Sequence, residues 1–254
     1  MRINKISKGN WSVEITDEDK KKISCIISKL KKTRELPPFG SWKKMSSEGI
    51  WEEILSQFCV MGSARPLEKL VEDKTRYSEF INRVKLKKLF ELHANRKDYI
   101  AKQLRDFKAT RFYNKAAERI NDFLETENVV KGNKLVLFKN LEDFSEDKMR
   151  EILLERQSSF KMKSISDLMI ELGASRTFIA FDTRIVGILR KHFGLNIKVD
   201  RIQSNENLYK LLEKKLRDIC KELNVDLSLL DRILFSNISS IDYILEYEYV
   251  PRRM

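Results

Sequence analysis

The chain has 254 residues, with 50 Lys and Arg against 38 Asp and Glu and a formal charge of +12. That is long enough for a sizeable core and basic enough to favour a polyanionic partner. No apolar run approaches the ~20 residues of a membrane span, and the charged start Met1-Arg2-Ile3-Asn4-Lys5 is no signal-peptide core, so an intracellular protein without a membrane partner is expected. Cys25, Cys59 and Cys220 are odd in number and far apart, which argues against a disulfide framework, a zinc site or a four-cysteine iron–sulfur cluster. His93 and His192 alone leave little for a His-based metal centre or a Ser-His-Asp triad.

Eight Gly and four Pro among abundant Leu, Ile, Lys and Glu predict a mostly α chain with short connections. Asp17-Glu18-Asp19 opens a helix through Ile23, Ile26, Ile27 and Leu30, stopped by Pro37-Pro38. Ser46 or Ser47 caps the next, Trp51 to about Val60, and amphipathic helices follow over Glu68–Glu72, Ser78–Leu92, Asp98–Phe107 and Phe112–Glu125. Lys131-Gly132-Asn133-Lys134 reads as a loop, and the apolar run Leu135–Phe138 as either extended or a buried turn. Ser145-Glu146-Asp147-Lys148 is an N-cap with an acidic first turn, leading a helix through Met149, Ile152 and Leu153. Ser164–Leu172 ends at Gly173, and Thr183–Phe193, opened by Asp182, ends at Gly194, each glycine sitting where a left-handed C-cap is usual. Helices over Glu206–Leu223 and Ser228–Phe235 complete the pattern, with a tyrosine-rich tail, Tyr243–Tyr249, as a last strand-like or helical element.

Four segments in order resemble the helix-hairpin-helix DNA glycosylase superfamily, which contains endonuclease III and the 8-oxoguanine DNA glycosylase/lyases. Trp51-Glu52-Glu53-Ile54-Leu55-Ser56-Gln57 is similar to the family's early helix ending in Leu-Ser-Gln. Arg111-Phe112-Tyr113-Asn114-Lys115-Ala116-Ala117 resembles its aromatic-Tyr-Asn-Lys-Ala helix start. Leu153–Leu172 occupies the place of the hairpin, and Ile179-Ala180-Phe181-Asp182-Thr183-Arg184-Ile185 resembles the apolar Asp-Thr-His signature. A weaker match is Leu229-Leu230-Asp231-Arg232-Ile233-Leu234-Phe235. The hairpin Ser158-Ser159-Phe160-Lys161-Met162 departs from the family by having no Gly, so Lys161 or the Ser hydroxyls would have to meet the DNA phosphate.

The resemblance implies an all-α fold of two helical lobes with a DNA-binding cleft between them. One lobe would be a barrel over 58–165 carrying the hairpin, and the other would join 1–57 to 166–254. It also implies a monomeric base-excision enzyme acting on damaged double-stranded DNA without a cofactor. Lys163 would be the Schiff-base nucleophile, assisted by the positive charge of nearby Lys161, and Asp182 the essential carboxylate. Their separation, 182 − 163 = 19, is similar to that in the 8-oxoguanine enzymes, which favours an oxidised purine. Gln57 or Phe58 would fill the gap left by an extruded base, Arg111, Lys115, Lys161 and Arg184 would contact the strand, and Phe235 would stack on the flipped base. Each residue also has an ordinary reading: Lys163 as a solvated lysine, Asp182 as a helix cap, Phe58 and Phe235 as core aromatics, and Arg111, Lys115 and Arg184 as exposed charges. The same fold would also suit a glycosylase for an oxidised pyrimidine or a deaminated base, or a nucleic-acid-binding protein without activity.

Overall fold

Side chains that satisfy the free N–H groups of a first helical turn set several of the helix starts. Thr16 and Asp19 form a reciprocal capping box, and Ser46, Ser145, Asp182 and Asn205 each accept from a backbone N–H of the helix that follows. The structure, a computed structural model, describes residues 1–7, 10–31 and 35–249. In chain order the elements are β1 (Arg2–Ser7), β2 (Asn10–Glu14), α1 (Asp17–Leu30), α2 (Ser47–Cys59), α3 (Arg65–Glu72), α4 (Lys74–Arg83), α5 (Leu86–Glu91), α6 (Arg96–Asp106) and α7 (Tyr113–Glu125). Then follow β3 (Val130–Lys131), β4 (Lys134–Leu135), α8 (Glu146–Arg156), α9 (Met162–Glu171), α10 (Thr183–Phe193), α11 (Val199–Gln203), α12 (Glu206–Glu222), α13 (Leu227–Ser236) and α14 (Ile238–Tyr243). The tail continues α14 as one π-helical turn, Ile244–Glu248. Helices carry the fold; among the described residues the strands form two short antiparallel pairs, and no helix is long and apolar enough to cross a membrane.

The chain forms two compact units, 40–160 and 1–39 with 161–254. The sequence reading began the middle lobe at 58 instead. Helix α2 belongs with the middle helices because Trp51 Nε1 donates to Val84 O at 2.8 Å and the Glu48 carboxylate accepts from Leu86 N and Lys87 N at 3.0 and 3.2 Å. Those contacts also correct the single helix expected over Ser78–Leu92. The backbone turns extended at Lys85, and Glu48 caps the restarted helix α5. Aromatic packing of Phe58 against Phe123 and Phe160, at centroid distances of 5.4 and 4.5 Å, forms part of the core of this unit. The Gly-free turn before α9 is closed by Gln157, whose amide accepts from Phe160 N at 2.6 Å and donates to Phe160 O at 3.1 Å, as a paired strand would.

In the other unit β2 packs on α12, while α10, α12 and α1 pack on α13. Between α9 and α10 runs a segment with no regular structure in which Phe178, Ile179, Ala180 and Phe181 are all buried. Buried backbone without a ladder must find other partners, and here helix side chains supply them. Asp231 accepts from Ala180 N at 2.6 Å, Tyr209 OH donates to Ile179 O at 2.6 Å, Gln203 donates to Phe181 O at 2.7 Å, and Ser228 donates to Phe178 O at 3.2 Å. Arg217 Nε completes the set on Thr177 O at 3.0 Å. Asp182 is the next residue after this braced run, so α11, α12 and α13 fix where it lies.

Burial pushes the Asp231 carboxyl up to about 7, against the pull of Arg232. An unfolded carboxyl titrates near ~3.9, so folding favours the protonated form: its contribution is full below that value and lost as pH rises through about 7. Asp231→Asn cannot ionise, and its stability relative to wild type should therefore rise by up to about 4 kcal/mol between pH ~4 and ~8. Urea unfolding at a series of pH values measures this. A difference that stays constant over the range would contradict a buried, ionisable Asp231.

Candidate active site

Lys163 lies in the first turn of α9, with its side chain 20% exposed. Its Nζ is 2.9 Å from Asp167 Oδ2, one helical turn later on the same face. The other oxygen of Asp167 is held at 2.7 Å by Arg232 NH2 from α13. The buried Arg232 guanidinium also reaches Glu171 at 3.3 Å and Asp231 at 3.4 Å. Lys163 and Arg232 thus stand among Asp167, Glu171, Asp182 and Asp231, with Arg184 beside Asp182.

The proton affinities follow. Burial works against the Lys163 ammonium, but Asp167, Asp182 and Asp231 outweigh it and hold the amine above its ordinary value. Burial likewise opposes ionised Asp167, yet Lys163 and Arg232 hold its carboxyl well below the usual carboxylate range. Asp182 goes the other way: burial pushes it up, and neither the Ile185 N–H it accepts at 2.8 Å nor Lys163 and Arg184 fully offset this. The two carboxylates that act most strongly on the amine are therefore unlike: Asp167 gives up its proton more readily than an ordinary carboxyl, and Asp182 holds one more readily.

The structure brings Lys163, Asp182, Arg184 and Phe235 into one unit. Arg184 is close enough to favour ionised Asp182, and its guanidinium lies 4.5 Å from the ring centroid of half-buried Phe235. A face of Phe235 that would stack on a base is thus occupied by Arg184. Lys161 is the exposed N-cap residue of α9, and the groups that set the proton affinity of Lys163 are acids rather than this neighbouring lysine. The remaining expected residues belong to the other unit. Gln57 is buried there, Phe58 is fully enclosed in its aromatic core, and Arg111 and Lys115 are exposed. Phe58 as folded presents no face to a partner, because Phe123 and Phe160 pack against it.

Sequence reasoning passed over Asp167, Asp231 and Arg232. The signals were present: Asp167 is four residues after Lys163, and Asp231-Arg232 interrupts an otherwise apolar stretch of α13. A second group of ligand-type side chains, His192, Asp242 and Glu246, has its donor atoms within 4.8 Å of one another. The Lys191 ammonium bridges the two carboxylates at 3.0 and 2.8 Å, and His192 Nε2 lies 2.6 Å from Asp242, so this cluster is an ion-paired clasp joining α10 to the C-terminal helix.

No protein-family model matches the chain, and neither does any curated protein sequence. Two solved structures from Methanocaldococcus jannaschii are similar. One is an 8-oxoguanine glycosylase/lyase in complex with a 15mer DNA containing 8-oxoguanine, 19% identical, covering 92% of this chain and 99% of that one, with a TM-score of 0.58. The other is an 8-oxoguanine DNA glycosylase, 20% identical over 92% of this chain and 95% of its own, with a TM-score of 0.55. The chain accordingly has the all-α fold of these archaeal glycosylases.

Proposed function

We propose that this protein is a bifunctional DNA glycosylase/AP lyase, an intracellular monomer that removes 8-oxoguanine from double-stranded DNA and cleaves the strand at the resulting site. One observation carries the reading: a half-buried amine, Lys163, within electrostatic reach of a helix-capping carboxylate, Asp182, at the two positions resembling the superfamily's nucleophile and acid. The choice of lesion is supported by the 19-residue separation and by the substrate of the two proteins that share the fold.

A stacked base is out of reach, so its nucleotide has to be extruded, at a cost of about a few kcal/mol. Breaking the glycosidic bond builds positive charge on the sugar, which the carboxylates beside Lys163 favour. The Lys163 lone pair bonds to the anomeric carbon as the bond to the base breaks. The base departs with the bonding electrons and a proton. Loss of the remaining nitrogen proton with opening of the sugar ring leaves an imine, which acidifies the neighbouring carbon and lets the 3′ phosphate leave by β-elimination. Attack needs a neutral amine. Asp182, with raised proton affinity, is the acceptor, while Asp167, pinned by Arg232, holds the side chain in place. The sequence requires no cofactor.

Incubation with an 8-oxoguanine duplex and borohydride should give a covalent protein–DNA adduct that is absent in Lys163→Gln and forms ~100-fold or more slowly in Asp182→Asn. An adduct only with an oxidised-pyrimidine or abasic duplex would change the lesion and keep the chemistry. No adduct with any of the three would contradict the role of Lys163.

Asp167→Asn removes the closest charge favouring the ammonium. The pH at which adduct formation reaches half its maximum should therefore fall, by about one unit or more. An unchanged profile, measured on an abasic duplex, would separate Asp167 from the titration of the amine.

A further inference from the structure

The unit formed by 40–160 carries a second concentration of charge that the chemistry at Lys163 does not use. Helices α3 and α4 and the end of α6 enclose a groove of about 520 Å³ lined by Arg65, Lys69, Arg76, Lys108 and Arg111. The one acid on its wall, Asp73, is committed to capping α4 through Arg76 N at 3.0 Å. Arg76 is oriented by donating to Asp106 O at 3.1 Å and lies 6.0 Å from the centroid of Phe107, which lines the groove with Leu70. Among the described residues Arg65, Lys69, Lys108 and Arg111 have no ion-pair partner, and all four are exposed.

Lys108 adds an independent observation. Its φ is +55°, in the left-handed region, where it ends α6 through Lys108 N to Arg105 O and Ala109 N to Leu104 O, both at 3.0 Å. Glycine is the usual residue for such a helix end, and a residue with a Cβ is disfavoured there. The other three non-glycine residues with positive φ among those described are Asn133, Asn140 and Asn224, a residue type that tolerates the conformation. A lysine at a position better suited to glycine, on the wall of a groove with five cations against one carboxylate, is a local cost that a bound anion would repay.

We propose that this groove grips the phosphodiester backbone of duplex DNA, independent of sequence and of any lesion. The choice of duplex DNA rests on the reading of the Lys163 site, whereas the charge of the groove does not. Five cations converging on one concave surface repel one another in the free protein and suit a polyanion with closely spaced phosphates better than a single small anion. Phosphate contacts of this kind set register and affinity without reading bases.

The test is binding of an undamaged fluorescent duplex by anisotropy from about 50 to about 200 mM salt. Lys69→Gln/Lys108→Gly should bind about tenfold more weakly at the lower salt and lose about two units of the log–log salt slope. Lys108→Gly alone should weaken binding while raising the melting temperature by about 2 °C, because glycine relieves the left-handed strain. Unchanged affinity and slope in the double variant would overturn the proposal, as would an equal loss in Lys97→Gln, an exposed lysine outside the groove. If the double variant weakens binding as expected but wild-type protein forms no borohydride adduct, the groove stands and the glycosylase reading fails. If the adduct forms and the double variant binds normally, the reverse holds.

Discussion

A buried stretch of irregular backbone has to be braced by side chains, and residues 177–182 are that stretch here. Arg217, Ser228, Tyr209, Asp231 and Gln203 each satisfy a backbone group in it, and the run delivers Asp182 to the first turn of α10. Loss of one brace would leave a buried polar group unsatisfied, at a cost of about 1–3 kcal/mol. The position of the candidate carboxylate therefore depends on α11, α12 and α13, through the polar side chains that these helices carry.

The same helix α13 supplies the electrostatics. Asp231 braces the segment and the adjacent Arg232 pins Asp167, which in turn holds the Lys163 ammonium. Lysine nucleophiles are commonly made reactive by lowering their proton affinity through burial or cationic neighbours. In this chain acids win that contest, so the resting amine is charged and docked. On the proposed chemistry, reactivity would depend on a proton acceptor whose own affinity has been raised, a requirement that Asp182 meets and Asp167 does not.

Much of the helical framework was legible because its signals are local. Ser46, Ser145 and Asp182 cap helices, and Gly194 ends α10 in the left-handed conformation, as their positions in the sequence suggested. The break between α4 and α5 was not legible, since it depends on Glu48 and Trp51 reaching across from α2. The N-terminal hairpin β1–β2 was missed for a similar reason: of its two strands only Ile3 and Val13 are buried apolar positions, too few to give a period of two. At the site, Lys163 and Asp182 carried a motif, whereas Asp167, Asp231 and Arg232 acquire their importance only by being buried together. Phe58 shows the converse, a residue placed by motif at a wedge position and by packing in an aromatic core.

The central claim is that one particular amine becomes bonded to the sugar. Peptide mass mapping of a borohydride-reduced protein–DNA adduct, after nuclease digestion, tests it most directly. The account predicts the reduced deoxyribose remnant on Lys163 and on no other lysine. A remnant on Lys161, or spread over several surface lysines, would contradict it.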